Sequence, residues 1–137
     1  MPTTIEKVIE DLDFATNRIG EQVRTISIGV LAVAWLFLAG GTNAPAVKVA
    51  PDVQVLLWSG ALAIGSLLAD YFQYLCAYFV SSHLLVAAEQ NPKSKPTYDY
   101  ESFTFRARKL FFWLKQVVCL LGTGVLVYAI VRALLGA

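Results

Sequence analysis

The chain has 137 residues, of which 57% are hydrophobic and only 15% charged, against about 25% charged in a typical soluble domain. With a mean hydropathy of +0.59, this is the composition of a membrane protein, not of a water-soluble globule. The formal net charge of +1 leaves no basic surface for phosphate backbones, so no nucleic-acid partner is expected.

The first 26 residues read as an amphipathic helix. Thr3 and Glu6 have the spacing of a capping box. Ile5, Val8, Ile9, Leu12, Ala15, Ile19, Val23 and Ile26 recur at steps of three and four, which makes one apolar stripe. Glu6, Glu10, Asp11 and Asp13 load the first half, where carboxylates complement the helix dipole. Only Gly20 interrupts this pattern, so the helix is expected to run straight into the first apolar span, over about residues 3–40 with the crossing at 25–41. The span is short, and the hydroxyls of Thr25 and Ser27 can extend it by bonding the preceding turn. The charged stretch before it is too long for the basic segment of a secretory signal, so the span is expected to be retained.

Gly40, Gly41, Thr42, Asn43, Ala44 and Pro45 break the helix. Pro51 followed by Asp52 marks a new start, because proline fits the first turn and a carboxylate suits the positive end of the helix. No proline follows until Pro92, so one helix is predicted over about 52–90, crossing at 53–72. Residues 91–96, with two prolines, end it. Thr97 or Asp99 then caps a third helix over about 98–135, crossing at 114–133. The expected fold is all-α, a single domain over residues 1–137 with three long transmembrane helices and a cytoplasmic helical extension. Helices of about 38 residues are about 57 Å long, whereas a bilayer core is about 30 Å thick. All three are therefore expected to project on the same side.

Basic residues set the orientation. Lys7, Arg18 and Arg24 precede the first span, and Lys93, Lys95, Arg106, Arg108 and Lys109 occupy the second connection and the start of the third helix. The first connection has only Lys48 and the tail only Arg132. The N-terminus is thus expected in the cytoplasm and the C-terminus outside, in a bacterial inner membrane. Trp58 and Trp113 fall near opposite interfaces, as aromatic anchors do.

Counting inward along the two hairpins places Arg24, Asp70 and Lys115 in one layer, with Gln73 and Gln116 beside it. An ionisable group at membrane depth is expensive and normally paired. The plainest expectation is an ion pair that sets helix register; a proton or ion relay through Asp70 is the functional alternative, and a snorkelling boundary layer without specific pairing is the third. Ser59, Ser66, Asp70 and Gln73 lie near one face of the second helix and would line a pore if subunits met there. Ala61, Gly65 and Ala69 recur one turn apart and allow close helix approach, within or between subunits. Beyond Asp70 the second helix is apolar on nearly every face, with Tyr71, Phe72, Tyr74, Tyr78 and Phe79 clustered. Such a helix must be surrounded, by lipid if it tilts or by other subunits if it does not.

Catalytic chemistry is absent from the pattern. His83 is the lone histidine and sits among apolar residues, so no Ser–His–Asp set and no metal site is expected. Cys76 and Cys119 read as small buried hydrophobes. Gly40–Gly41 lacks the lysine and spacing of a phosphate loop. The expectation is a non-enzyme without cofactors, whose partners are the lipid bilayer and either itself or another membrane protein. Three functions compete, the last-ranked being a proton-coupled transporter with Asp70 as its carrier, for which three helices leave little cavity. Of the first two, one is a self-assembling protein such as a pore, channel or membrane-acting effector. The other is an accessory subunit or immunity-type partner of a larger membrane complex.

Overall fold

Each hydrophobic segment becomes one unbroken helix. The structure is a computed structural model that describes residues 4–40, 51–90 and 103–135. It contains α1 (Thr4–Gly40), α2 (Val53–Gln90) and α3 (Phe103–Leu135), and no strand among the described residues. The helices have 37, 38 and 33 residues, so they are about 50–57 Å long. The Thr3–Glu6 capping box, the two connections and the Thr97 or Asp99 cap lie outside the described residues.

α1 passes through Gly20 without a break, so the amphipathic segment and the first crossing are one rod. α2 starts where Asp52 caps it. The Asp52 carboxylate accepts the Gln54 amide at 2.9 Å, and the Asp52 carbonyl accepts the first helical bond from Leu56 N at 3.0 Å. This satisfies amide donors that the first turn leaves without helical partners.

Each helix carries a stretch long and apolar enough to cross a membrane, namely Asp13–Ala39, Val53–His83 and Phe103–Leu135. The protein is a membrane-embedded three-helix bundle. On the charged side these stretches pass the expected crossings of 25–41, 53–72 and 114–133, reaching Asp13 on α1, His83 on α2 and Phe103 on α3; only on α2 is the added stretch free of charged residues.

α2 and α3 pack most closely, and α1 lies against both. The reason is steric. A Cβ on Gly122 would stand 3.2 Å from Leu62 Cβ and 3.4 Å from both the Ala63 amide nitrogen and the Ser59 carbonyl, a crowding that glycine avoids and that lets the two backbones come near. Val30, Leu56, Ala63 and Leu126 form the buried core, with Leu31, Phe37, Leu38 and Ile130 packed around it. Trp35, Trp58, Trp113, Leu120 and Val127 point outward. In lipid an apolar exterior carries no penalty, and specificity comes from the small and polar residues turned inward.

Candidate functional site

The polar side chains of the crossing helices turn into the bundle and meet one another. Ser59, Ser66, Asp70 and Gln73 follow each other at steps of three, four and seven along α2, so they share its inward stripe. All four are buried. Ser59 donates to the Gly122 carbonyl at 3.0 Å, and Ser66 donates to the Lys115 carbonyl at 2.9 Å. On the facing side Ser27 Oγ lies 3.6 Å from Cys119 Sγ, which is 3.8 Å from the Val23 carbonyl. The two serines expected as pore lining thus face α3 of their own chain. They bind helix to helix and present nothing to a lumen between subunits.

Asp70 is the centre of the layer. Lys115 Nζ donates to Asp70 Oδ1 at 2.5 Å, and Arg24 Nε donates to Asp70 Oδ2 at 3.0 Å. The two cations differ in setting. The Lys115 side chain is 1% exposed and the Arg24 side chain 45%, against 6% for Asp70. Lys115 therefore lies inside the bundle, with its ammonium 5.5 Å from the Phe112 ring centroid. Arg24 lies at the edge, stacked over Tyr74 at 5.4 Å and donating through Nη2 to the Tyr74 hydroxyl at 3.0 Å. Gly20 makes room for this cluster, since a Cβ there would stand 3.3 Å from Lys115 Nζ and 3.7 Å from the Tyr74 hydroxyl.

The glutamines behave differently from each other. Gln116 donates to the Phe112 carbonyl of its own helix at 3.0 Å and does not join the layer. Gln73 stays on the inward stripe, one turn below Asp70, and its Oε1 is buried with no hydrogen-bond donor among the described residues. The hydroxyls of the first crossing also divide. Thr25 donates to the Glu21 carbonyl one turn back at 2.9 Å, as the sequence suggests, whereas Ser27 turns to Cys119.

The small-residue seam is used inside the subunit. Ala69 is buried, and a Cβ on Gly65 would meet Val118 of α3 at 3.6 Å. Only Ala61 of the three faces outward. The parts played by Gly20 beside Lys115, Cys119 beside Ser27 and Gly122 beside Ala63 carry no signal in the sequence, because each depends on which residue of another helix lies opposite.

The layer marks a boundary along the bundle axis. Above it, the helices run about 23–30 Å to Ala39, Val53 and Leu135, which matches a bilayer core of about 30 Å. Below it, α1 carries Glu21, Arg18 and Asp13, and α3 carries Lys109, Arg108 and Arg106. Arg18 and Glu21 pair at 3.4 Å on the exposed face. At those same depths α2 presents Tyr74, Tyr78 and Phe79, all exposed, and its exposed apolar face continues further down with Leu85 and Val86. The stacked pair Phe72–Phe111, with centroids 5.6 Å apart, ties α2 to α3 just beneath the layer.

Among the described residues no three His, Cys, Asp or Glu side chains converge on a metal-binding position. His83 is exposed on α2. Cys119 is buried and Cys76 half-buried, both as free thiols. No protein-family model, curated protein or solved structure matches the chain.

Proposed function

We propose that this is a small integral membrane protein that works by association, assembling with copies of itself through the apolar face of α2 beyond the charged layer. One observation carries this reading. At the depth where α1 and α3 carry charges, α2 exposes Tyr78 and Phe79. Lipid that covered these side chains would also submerge the Arg18–Glu21 pair together with Arg106 and Lys109, and charged side chains at membrane depth are costly. A protein surface covers the aromatic face without touching those charges. An exposed apolar patch rimmed by polar residues is the usual mark of an interaction site.

The assembly this supports is closed, not a pore lined by Ser59, Ser66 and Gln73. Those side chains already bond or pack within their own bundle, and Asp70 is held by two cations. Chain count in nanodiscs tests the proposal. Mass photometry or native mass spectrometry of the pure protein should give one defined homo-oligomer in both detergent and nanodiscs. A strict monomer in both would favour the second reading, an accessory or immunity-type subunit whose α2 face waits for a different membrane protein.

The same reading places the charged ends of α1 and α3 in the cytoplasm, by the bias of Lys and Arg toward that side, and fits a bacterial inner membrane. Ser94→Cys and Asn43→Cys, each in a background without Cys76 and Cys119, test it with an impermeant thiol reagent on intact cells. Asn43→Cys should label and Ser94→Cys should not; the reverse pattern would invert the topology.

A further inference from the structure

We propose that the Arg24–Tyr74 edge of the charged layer binds the phosphate of an anionic phospholipid. The inference rests on the membrane setting alone and stands whether or not the protein self-assembles.

Charge comes first. Arg24 and Lys115 bring two positive charges to one carboxylate, Asp70. The nearest further carboxylate on α1, Glu21, is one turn away and is paired with Arg18. On α2 no acidic residue follows Asp70 before Glu89. The layer therefore keeps one positive charge in excess, which repels a cation and attracts an anion. A relay that carries cations through Asp70 is disfavoured for the same reason.

Donors come next. Arg24 has five N–H bonds in a fixed fork. Nε is used on Asp70 and Nη2 on Tyr74, while Nη1 has no partner among the described residues. The Tyr74 hydroxyl accepts from Arg24, which leaves its own proton free to donate. Both groups are about half-exposed, so an oxygen anion arriving from the lipid side meets two donors and an unbalanced charge together. Arginine favours phosphate because its fork can engage two oxygens at once. Buried Asp70 and half-exposed Tyr74 fix the guanidinium in place beforehand, which lowers the ordering cost of binding.

Depth selects the source of the anion. The layer sits about 23–30 Å from the opposite ends of the apolar helices, hence at the edge of the hydrocarbon core, where lipid phosphates lie. Tyr71, Tyr74 and Tyr78 are exposed along this level and just below it, and aromatic side chains with polar tips mark the headgroup region.

The full chain, purified and placed in nanodiscs of phosphatidylcholine with or without phosphatidylglycerol, provides the test. Native mass spectrometry should find phosphatidylglycerol retained in preference to phosphatidylcholine, with retention reduced about tenfold by Arg24→Gln, as for the loss of a charge-assisted bidentate contact. Should that variant fold poorly without its contact to Asp70, Tyr74→Phe keeps every charge and the ring, and should still reduce retention two- to threefold, the order expected for one neutral hydrogen bond. Equal retention of the two lipids, or retention indifferent to Tyr74→Phe in a folded protein, overturns the proposal. So does inorganic phosphate that binds as tightly in pure phosphatidylcholine, since the ligand would then be a free anion.

Discussion

The two halves of this bundle solve opposite problems. Above Asp70 the exterior is apolar and the interior holds serines, a thiol and glycines, so packing relies on close backbone approach and hydroxyl-to-carbonyl bonds. Below Asp70 the arrangement splits by helix: α1 and α3 carry charges, while α2 exposes aromatic rings. The upper half is complete in lipid, because every described serine on the inward stripe has a partner. The lower half is the part that the proposed association would complete, because water does not cover rings favourably and lipid that covered them would also reach charges. The difference teaches that hydrophobicity alone does not assign a surface to lipid. The neighbours at the same depth decide it.

The sharpest way to break this division is at the boundary itself. Asp70→Asn leaves the Lys115 ammonium buried without its counter-charge, a change that costs about 3–5 kcal/mol in soluble proteins; at a membrane boundary the loss should be somewhat smaller. Adding Lys115→Gln should recover much of it, whereas adding Arg24→Gln should recover little, since the half-exposed guanidinium is already solvated. Unfolding in mixed micelles by denaturant, read as a double-mutant cycle, checks this. Equal coupling of Asp70 to both cations would show that burial does not separate their roles.

Packing in the upper half should be nearly as sensitive. Gly122→Leu forces a side chain against the α2 backbone at Ala63 and Ser59, and should lose about 1–3 kcal/mol or more by overpacking. Gly124→Ala and Gly29→Ala, where a Cβ meets nothing within 4 Å, should be neutral or gain up to about 1 kcal/mol from helix propensity. Thermal or denaturant midpoints of the three variants should separate in that order, and a tolerated Gly122→Leu would refute the close α2–α3 contact.

The lower half should respond in assembly, not in stability. Tyr78→Ala with Phe79→Ala removes exposed rings, so the monomer's unfolding midpoint should move by no more than about 0.5 kcal/mol, the usual range for surface changes, while the oligomer dissociates. A large loss of stability with an unchanged chain count would instead place those rings inside the subunit. The smallest effect should come from Ser66→Ala, which removes one interhelical hydrogen bond. Such bonds average about 0.6 kcal/mol in membrane bundles, so a loss much larger than that would mean that Ser66 also fixes the position of Lys115.

The primary sequence by itself determined the three helices, their continuity and their membrane setting. Proline and glycine breaks, the Asp52 cap and the charge-free runs act locally along the chain, so they are readable without knowing what lies opposite. Counting rise per residue from each connection also sets Arg24, Asp70 and Lys115 at one depth, because straight helices in a hairpin keep register. Depth is not azimuth, however. Which way a side chain points around its helix relative to its neighbours follows from how the helices pack, and the tertiary structure alone decided that. It turned Ser59, Ser66 and Gly65 toward α3, sent Gln116 back to its own helix, and buried Lys115 while leaving Arg24 at the edge. It also matched Gly20 to Lys115 and Gly122 to Ala63. These are pairings between residues far apart in sequence, and where the crossing helices are apolar on their outer faces no hydrophobic stripe announces them.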